Sequence, residues 1–156
     1  MGPSVPQKRG GMVGSTKKGK GTKIMAITDS NGLPIGVEIE SAQPHEVTLV
    51  TTAIKSIVLT RNIGCLIGDK AYDSDSLDKY IREQFGFELI APNRKNKRGN
   101  KQDGRQLRRY KRRWKVERLF AWLQNFRRTI TRFEYYEENF KAMILLACGL
   151  LMRRWF

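Results

Sequence analysis

Polar and apolar residues alternate with a period of two near the start of this chain. Residues 22–28 and 35–41 are both strand candidates, and the second alternates cleanly between apolar and polar side chains. The Asp-Ser-Asn-Gly sequence at 29–32 favours a turn between them, so the pattern predicts a hairpin. Glu38 and Glu40 fall on the polar side, where we expect them to be solvated and to protect an edge strand.

Helical and strand patterns then alternate. Residues 44–57 begin with Pro-His-Glu and predict a helix. His45 is expected to be structural or exposed, and a role as a catalytic base is the minority alternative. The apolar run at 64–69 predicts a strand buried on both faces. A helix at 76–85 and a strand at 87–91 follow, so the order of elements predicts an α/β fold.

The longest helical pattern runs from residue 104 to residue 128. Tyr110, Arg113 and Glu117 share a narrow face because they lie three and four positions apart. A separate basic face is formed by Lys111, Lys115 and Arg118. Glu117 is the single acid of this stretch. It fits a metal ligand beside a polyanion, and a pair with Arg113 within the helix fits equally well.

The last helical pattern begins at 135–138, and residues 142–152 are apolar on nearly every side. Such a stretch is too short to span a bilayer and predicts a buried helix. Cys65 and Cys148 both lie in apolar segments without Cys-x-x-Cys spacing. We therefore expect reduced core cysteines in a cytosolic protein rather than a disulfide.

Charge points to a polyanionic partner. The 156 residues include 30 Lys and Arg against 15 Asp and Glu, a formal net charge of +15. Because 40% of the residues are hydrophobic, the chain is a folded basic protein rather than a disordered tail. Residues 1–21 are rich in Gly, Pro and Lys and predict a flexible basic arm, and residues 22–156 predict one folded domain.

A basic loop at 93–109 leads into the long helical pattern. It carries eight Lys or Arg residues and one acid, Asp103. Such a loop repels itself and is ordered by a phosphate backbone, although a solvated loop is the simpler alternative. Our candidates for contact with the DNA backbone are Arg94, Lys95, Lys97, Arg98, Arg108, Arg109, Arg127 and Arg128. Arg132 is expected to continue the same basic surface.

Asp69 directly follows the apolar strand pattern. Ligands of open α/β sheets bind beyond the carboxyl ends of strands, which makes Asp69 a candidate for chemistry. Asp69 and Glu117 could converge on a divalent cation, because hard cations such as Mg²⁺ prefer carboxylate oxygens. Two ions can stabilise the entering and leaving oxygens of an in-line phosphoryl displacement. Spacing alone leaves this open, because two separated acids occur often by chance.

Five motifs in a fixed order make the assignment more specific. They are KRGGMVGSTKKGKGTKIM at 8–25, GLPIGVEIESAQPHE at 32–46, GDKAYDS at 68–74, IAPNRKN at 90–96 and RRYKRRWKVERLFAWLQNFRR at 108–128. With them the chain resembles the DDE transposases of bacterial insertion sequences, in the insertion-sequence family five group. The resemblance implies a ribonuclease-H-like mixed sheet with flanking helices. It also implies cleavage of element ends and their joining to target DNA.

The resemblance assigns roles to particular residues. Asp69 matches the second acid of the family's catalytic triad and Glu117 the third, and together they would bind Mg²⁺ or Mn²⁺. Tyr110, Arg113 and Glu117 match the signature Tyr-x2-Arg-x3-Glu, in which Tyr110 and Arg113 would position phosphate or the Glu117 carboxylate. Gln124 stands where the family usually has a lysine.

The first acid of the family's triad has no match here. The resemblance places it ahead of Lys8, at or just before Met1, and none of residues 1–7 is acidic. We therefore expect an N-terminally truncated fold that lacks the first central strand, with little catalysis by the chain alone. An upstream reading frame could encode the rest, and loss through decay of the element is the alternative. The alternative function is a non-catalytic basic DNA-binding fragment or an inhibitor of full-length transposase.

The expected partners follow from charge and resemblance together. They are double-stranded DNA at element ends and target, an upstream-frame transposase segment, and a second copy in a homo-oligomer. No membrane partner is expected, and the expected location is the cytoplasm, in association with the nucleoid.

Overall fold

A computed structural model describes residues 4–6, 10–16, 19–44, 46–58, 63–94 and 104–154. The chain divides into two compact units, Met1–Val58 with Lys115–Phe156, and Leu59–Trp114. The strands are β1 (Ser4–Pro6), β2 (Gly14–Thr16), β3 (Gly19–Thr28), β4 (Pro34–Ser41), β5 (Cys65–Ile67) and β6 (Glu88–Ile90). The α-helices are α1 (Glu46–Lys55), α2 (Asp75–Phe85), α3 (Gly104–Tyr110), α4 (Trp114–Leu123), α5 (Arg127–Ile130) and α6 (Glu137–Arg153). Within the described ranges, no helix combines the length and the apolar character that crossing a membrane requires.

The predicted hairpin is the centre of the first unit. β3 and β4 pair antiparallel from Thr22 opposite Ser41 to Thr28 opposite Pro34. The turn between them is held by Asp29, whose Oδ1 accepts hydrogen bonds at 2.8 Å from the backbone N–H groups of Asn31 and Leu33. A short polar side chain that binds the backbone two residues ahead favours a turn, which is why the sequence predicts it well.

Part of the predicted flexible arm lies in this sheet. β1 pairs antiparallel with one edge of β3, and β2 pairs with the other edge, where it continues the line of β4. β3 therefore begins at Gly19, three residues before the predicted start. Val5 is buried in the core, which gives β1 an apolar anchor that the polar composition of the arm conceals.

The core of the first unit lies between one face of the sheet and two helices. It is built from Val5, Ile24, Val37 and Ile39 of the sheet, Leu119, Phe120 and Leu123 of α4, and Phe140, Ile144, Ala147, Cys148 and Leu151 of α6. α1 also packs against β3 and β4. Gly36 allows the chain after α1 to approach, because a Cβ there would lie 3.0 Å from Ser56 Oγ.

Two predictions that involve the surroundings of α6 are wrong. Glu38 is not solvated, because its carboxylate accepts from Lys141 Nζ of α6 and forms an ion pair at 2.7 Å. The apolar stretch at 142–152 is not buried all round, because Leu145, Leu146 and Leu150 are exposed. In both cases α6 presents one face to the sheet and the other to solvent, which composition cannot reveal.

The second unit contains a parallel strand pair. β5 and β6 pair from Cys65 opposite Glu88 to Ile67 opposite Ile90. β5 is half-buried rather than buried on both faces as predicted. The described strands thus form two hydrogen-bonded sheets, one antiparallel and one parallel, and the mixed α/β class agrees with prediction.

Local signals correctly place α2 between these strands. Ser74 is the residue before its first turn, and Gly86 ends it in the left-handed conformation at φ +75°. Glycine adopts that conformation without the strain that a Cβ introduces.

The long helix predicted at 104–128 is divided. A 3-10 turn at Lys111–Arg113 separates α3 from α4, and α4 ends at Leu123. Gln124 and Asn125 form a turn, and Phe126 is extended at φ −101° and ψ 113°. Arg127 and Arg128 therefore lie on the separate short helix α5. Neither proline nor an internal glycine marks these breaks, so the sequence pattern could not show them.

Candidate functional site

Asp69 lies just beyond the carboxyl end of β5, as the sequence predicts. The N–H of Gly68 donates to the carbonyl of Ile90 at 2.9 Å, which continues the strand pairing up to the residue before Asp69. Asp69 Oδ1 then accepts from the N–H of Lys70 at 2.6 Å and caps the 3-10 turn Lys70–Tyr72. The carboxylate is thereby fixed to the backbone at a strand end.

The other oxygen of Asp69 faces Arg113. Arg113 Nη1 lies 3.1 Å from Asp69 Oδ2, and the two side chains are 31% and 28% exposed. This contact joins two residues that the resemblance assigns to the same site, although they are distant in sequence. Ion pairs of this exposure are only partly screened by solvent, so the pair orients the carboxylate as well as balancing its charge.

Tyr110 contacts the same guanidinium. The Cζ atom of Arg113 is 5.5 Å from the centroid of the Tyr110 ring, within the range of a cation–π contact. Tyr110 ends α3 and Arg113 ends the following 3-10 turn, so the spacing of three brings the ring to the cation. Asp69, Arg113 and Tyr110 consequently form a connected cluster within the second unit.

Three hydrogen bonds from Arg94 hold the same loop from the β6 side. The backbone N–H of Arg94 donates to Asp73 Oδ2 at 2.6 Å. The Arg94 guanidinium donates to the carbonyls of Lys70 and Ala71 at 3.4 and 2.9 Å. Arg94 therefore supports the loop that carries Asp69, a role that the prediction of a DNA contact does not include.

Gly68 and Tyr72 complete the support of this loop. A Cβ on Gly68 would lie 2.9 Å from Cδ2 of the Tyr72 ring, closer than side chains approach. Glycine is therefore needed for the ring to pack beside the strand end. The GDKAY segment is a compact structural unit around Asp69.

Glu117 belongs to the first unit, where it is an exposed residue of α4. Two of the three cations predicted to form a basic face beside it have structural partners. Lys115 Nζ donates to the carbonyl of Ser30, and Arg118 Nη2 donates to that of Asn31 at 2.5 Å. They therefore hold the β3–β4 turn, and the surface available to a polyanion is smaller than the sequence suggests.

The donor set for a metal ion is partial. Asp69 and Glu117 supply hard oxygen donors of the kind that divalent cations prefer. Over the residues that the structure describes, no group of three or more Asp, Glu, His or Cys is placed to hold a metal ion. Asp69 belongs to the second unit and Glu117 to the first.

The predicted DNA-binding residues fall into three groups. Arg108 and Arg109 are exposed on α3, and Arg127 and Arg128 are exposed on α5. Arg94 is exposed, and its guanidinium is bonded to the loop that carries Asp69. Lys95, Lys97 and Arg98 lie outside the described residues.

An exposed aromatic group beside α5 was not predicted. Phe133, Tyr135 and Tyr136 are all more than half exposed. The Cζ atom of Arg127 lies 5.6 Å from the Phe133 ring, and the two tyrosine rings meet edge to face at 5.4 Å. Arginines interleaved with exposed aromatic rings are typical of nucleic-acid surfaces. The signal in the sequence is the FEYY run that follows the arginines of α5.

Arg132 was assigned to the basic surface, and this is wrong. It is 1% exposed and donates to the carbonyls of Gly11, Glu134 and Tyr135 and to Thr22 Oγ1, at 2.7 to 3.0 Å. Burial lowers the pKa of Arg132 from its ordinary value, and the nearby carboxylates of Glu137 and Glu134 oppose that effect. Arg132 is a structural cation that joins the segment before α6 to the sheet.

Comparison with known proteins identifies related sequences. The family model of the transposase DDE domain matches residues 4–152. The candidate transposase of insertion sequence element IS402 from Burkholderia cepacia is 30% identical over 139 residues, which cover 84% of this chain and 62% of that protein. The candidate transposase of insertion sequence element IS6501 from Brucella ovis is 26% identical over 133 residues, covering 85% and 98%. No solved structure matches the chain.

Proposed function

The chain belongs to the DDE transposases of insertion sequences, and on that basis we propose that it supplies two acids, Asp69 and Glu117, to a DNA cleavage and strand-transfer site. It spans 62% of the length of its IS402 relative, so the activity of a whole transposase is part of the proposal. The contact of Arg113 with Asp69 carries the proposal, because it connects two site residues from separate motifs.

Within this site each residue has a distinct task. Asp69 and Glu117 would hold the divalent metal, Mg²⁺ or Mn²⁺, which when bound activates water and stabilises the oxygens of a phosphoryl displacement. Arg113 keeps the Asp69 carboxylate oriented, and Tyr110 holds the Arg113 guanidinium. The nucleophile is water for strand cleavage and the freed 3′-hydroxyl of DNA for strand transfer.

Double-stranded DNA is the proposed substrate. Its backbone is contacted by Arg108 and Arg109 of α3 and by Arg127 and Arg128 of α5, with Arg94, Lys95, Lys97 and Arg98 in the basic loop. These residues fix the position of the duplex with little reading of sequence. The net charge of +15 supports the proposal, because it attracts any phosphate backbone.

Metal binding tests the proposal directly. Calorimetric titration of the full chain with Mn²⁺ should show a site that Asp69→Asn weakens and that Asp69→Ala with Glu117→Ala abolishes. Asp75→Asn is the matched control, because Asp75 is an exposed acid of the same unit in the first turn of α2. Equal binding by all four proteins would refute the assignment of both acids.

A non-catalytic DNA-binding role is the second candidate, and one observation favours it. Over the residues that the structure describes, no group of three or more Asp, Glu, His or Cys is placed to hold a metal ion. In this case the chain binds DNA, and the double variant at Asp69 and Glu117 has the same Mn²⁺ titration as the unmodified protein. The titration therefore separates the two candidates.

A further inference from the structure

The outer face of α6 is apolar and exposed. Leu145, Leu146 and Leu150 are 48%, 60% and 43% exposed, and Ala142 and Gly149 lie exposed between them. At 100° per residue these five positions form one continuous stripe. The opposite face packs into the core of the first unit through Phe140, Ile144, Ala147, Cys148 and Leu151. The core therefore holds α6 on one side, so the exposed stripe faces away from the core in a fixed direction.

Four positions of the stripe are symmetric about the midpoint between Leu145 and Leu146, whereas the counterpart of Leu150 is Lys141, which is bonded to Glu38. Ala142 and Gly149 lie at equal distances from this point, and both are small. Farther out, Glu138 and Arg153 are again equidistant, and both are exposed on the same side of the helix. When two such helices meet antiparallel at this midpoint, Leu faces Leu, the small residues face each other, and each acid faces an arginine.

We propose that this face of α6 binds the same face of a second copy of the chain, antiparallel, about a two-fold axis between Leu145 and Leu146. Charge complementarity selects this occupant and this orientation. The antiparallel pair places Glu138 of each copy opposite the partner's Arg153 at both ends of the contact, whereas a parallel pair opposes like charges. Antiparallel helix dipoles are also favourable.

Small residues make the close approach feasible. A Cβ built on Gly149 has no heavy atom within 4 Å, so the surface there is open. Glycine and alanine on facing helices let the backbones approach and bring the leucines into contact. One helix pair buries less than the roughly 800 Å² per partner of a standard interface, so a reversible dimer is expected.

Salt distinguishes this contact from DNA binding. Each copy carries a net charge of +15, so the two copies repel each other over long range. Added salt screens that repulsion. It should weaken the attraction between Glu138 and the opposing Arg153 by a smaller amount. Dimerisation should therefore strengthen from about 0.15 M to about 0.5 M salt, whereas binding to DNA weakens over the same range. The proposal does not depend on the function of Asp69 or Glu117.

Sedimentation velocity on the full chain, from low micromolar to near-millimolar protein, tests the interface. The unmodified chain should pass reversibly from monomer to dimer, and Leu146→Glu should weaken the dimer by roughly tenfold or more. Val58→Glu is the matched control, because Val58 is an exposed apolar residue of the same unit, and this variant should dimerise normally. Thermal melts confirm that each variant is folded.

A charge exchange tests the orientation. Glu138→Arg alone should weaken the dimer, and Glu138→Arg with Arg153→Glu should restore it, because each end pair is again of opposite sign. A chain that stays monomeric at every concentration overturns the proposal, and so does a dimer that Leu146→Glu leaves intact. A dimer that the exchange does not restore overturns the antiparallel orientation.

Discussion

The guanidinium of Arg113 lies 3.1 Å from the carboxylate of Asp69 and 5.5 Å from the ring of Tyr110. The sequence offered Glu117 as the local partner of Arg113, because the two residues are four positions apart. The contact with Asp69 shows that this arginine has a partner across its own unit. Arg113 lies against an oxygen of the carboxylate that we propose as a metal ligand, so under that proposal Arg113 and a metal ion would compete for the same oxygen.

Arg113→Met should therefore raise the affinity of the chain for Mn²⁺ by several-fold. The substitution removes both the competing contact and one positive charge from the surroundings of Asp69. The free energy of unfolding of the same variant should be lower by about 1 kcal/mol, because the substitution removes a half-buried ion pair. Arg112→Met is the matched control, since it removes an exposed cation from the same turn. Equal titrations for the two variants would show that Arg113 does not compete.

Gly68→Ala should destabilise the loop around Asp69. The new Cβ would lie 2.9 Å from the Tyr72 ring, which must shift out of its packed position. Overpacking of this kind costs about 1–3 kcal/mol. Urea unfolding measures the loss, and Gly64→Ala is the control, because a Cβ on Gly64 meets nothing within 4 Å. A similar unfolding midpoint for both variants would contradict the tight packing at Gly68.

Arg127→Gln should weaken binding to double-stranded DNA more than Arg128→Gln. Arg128 is already paired with the Glu134 carboxylate at 2.6 Å. Arg127 lies against the Phe133 ring, which carries no negative charge to balance it. A variant that makes one fewer bond to phosphate should have a slope of log affinity against log salt that is shallower by about one. Fluorescence anisotropy across a salt series provides both the affinity and the slope.

The control for these arginines is Arg82→Gln. Arg82 is exposed on α2 and lies 4.0 Å from Glu88. It is outside the predicted DNA-binding residues, and its removal should change the salt slope little. A decrease in affinity equal to that of Arg127→Gln would mean that net charge alone determines the affinity.

The elements that depend on neighbouring residues were predicted correctly from the sequence. The hairpin follows from alternation and from the Asp29 turn, and α2 follows from Ser74 and Gly86 at its ends. The position of Asp69 after β5 was predictable for the same reason, since an apolar run ends there. Each of these features depends on residues that are close together in sequence.

Features that depend on distant residues were missed or wrongly predicted. Arg132 looked like a surface cation because its acceptors at Gly11 and Thr22 come from the other end of the chain. The face of α6 that meets the core could not be predicted, because residues 142–152 are apolar on nearly every side. The pairing of Arg113 with Asp69 likewise requires the folded second unit.

The burial of the Cys148 thiol makes the stability of the fold depend on pH in the alkaline range. Burial raises the pKa of Cys148 to about 11, from an ordinary value of 9.0. As pH rises above 9, the unfolded chain releases the thiol proton and the folded chain retains it, so stability falls until the folded thiol also titrates. Between about pH 8 and about pH 10, the unmodified chain should lose roughly 1 kcal/mol more than Cys148→Ala.

Comparing these two proteins isolates the thiol, because every other titratable group is common to both. Urea unfolding at each pH gives the two free energies. Cys65→Ala serves as the control, because Cys65 is half-buried in β5 whereas Cys148 is 3% exposed in the core. A thiol reagent should modify Cys65 before Cys148 in the folded chain. Equal rates at the two cysteines, together with parallel stability curves for the unmodified chain and Cys148→Ala, would place Cys148 in a more open environment than the core of the first unit.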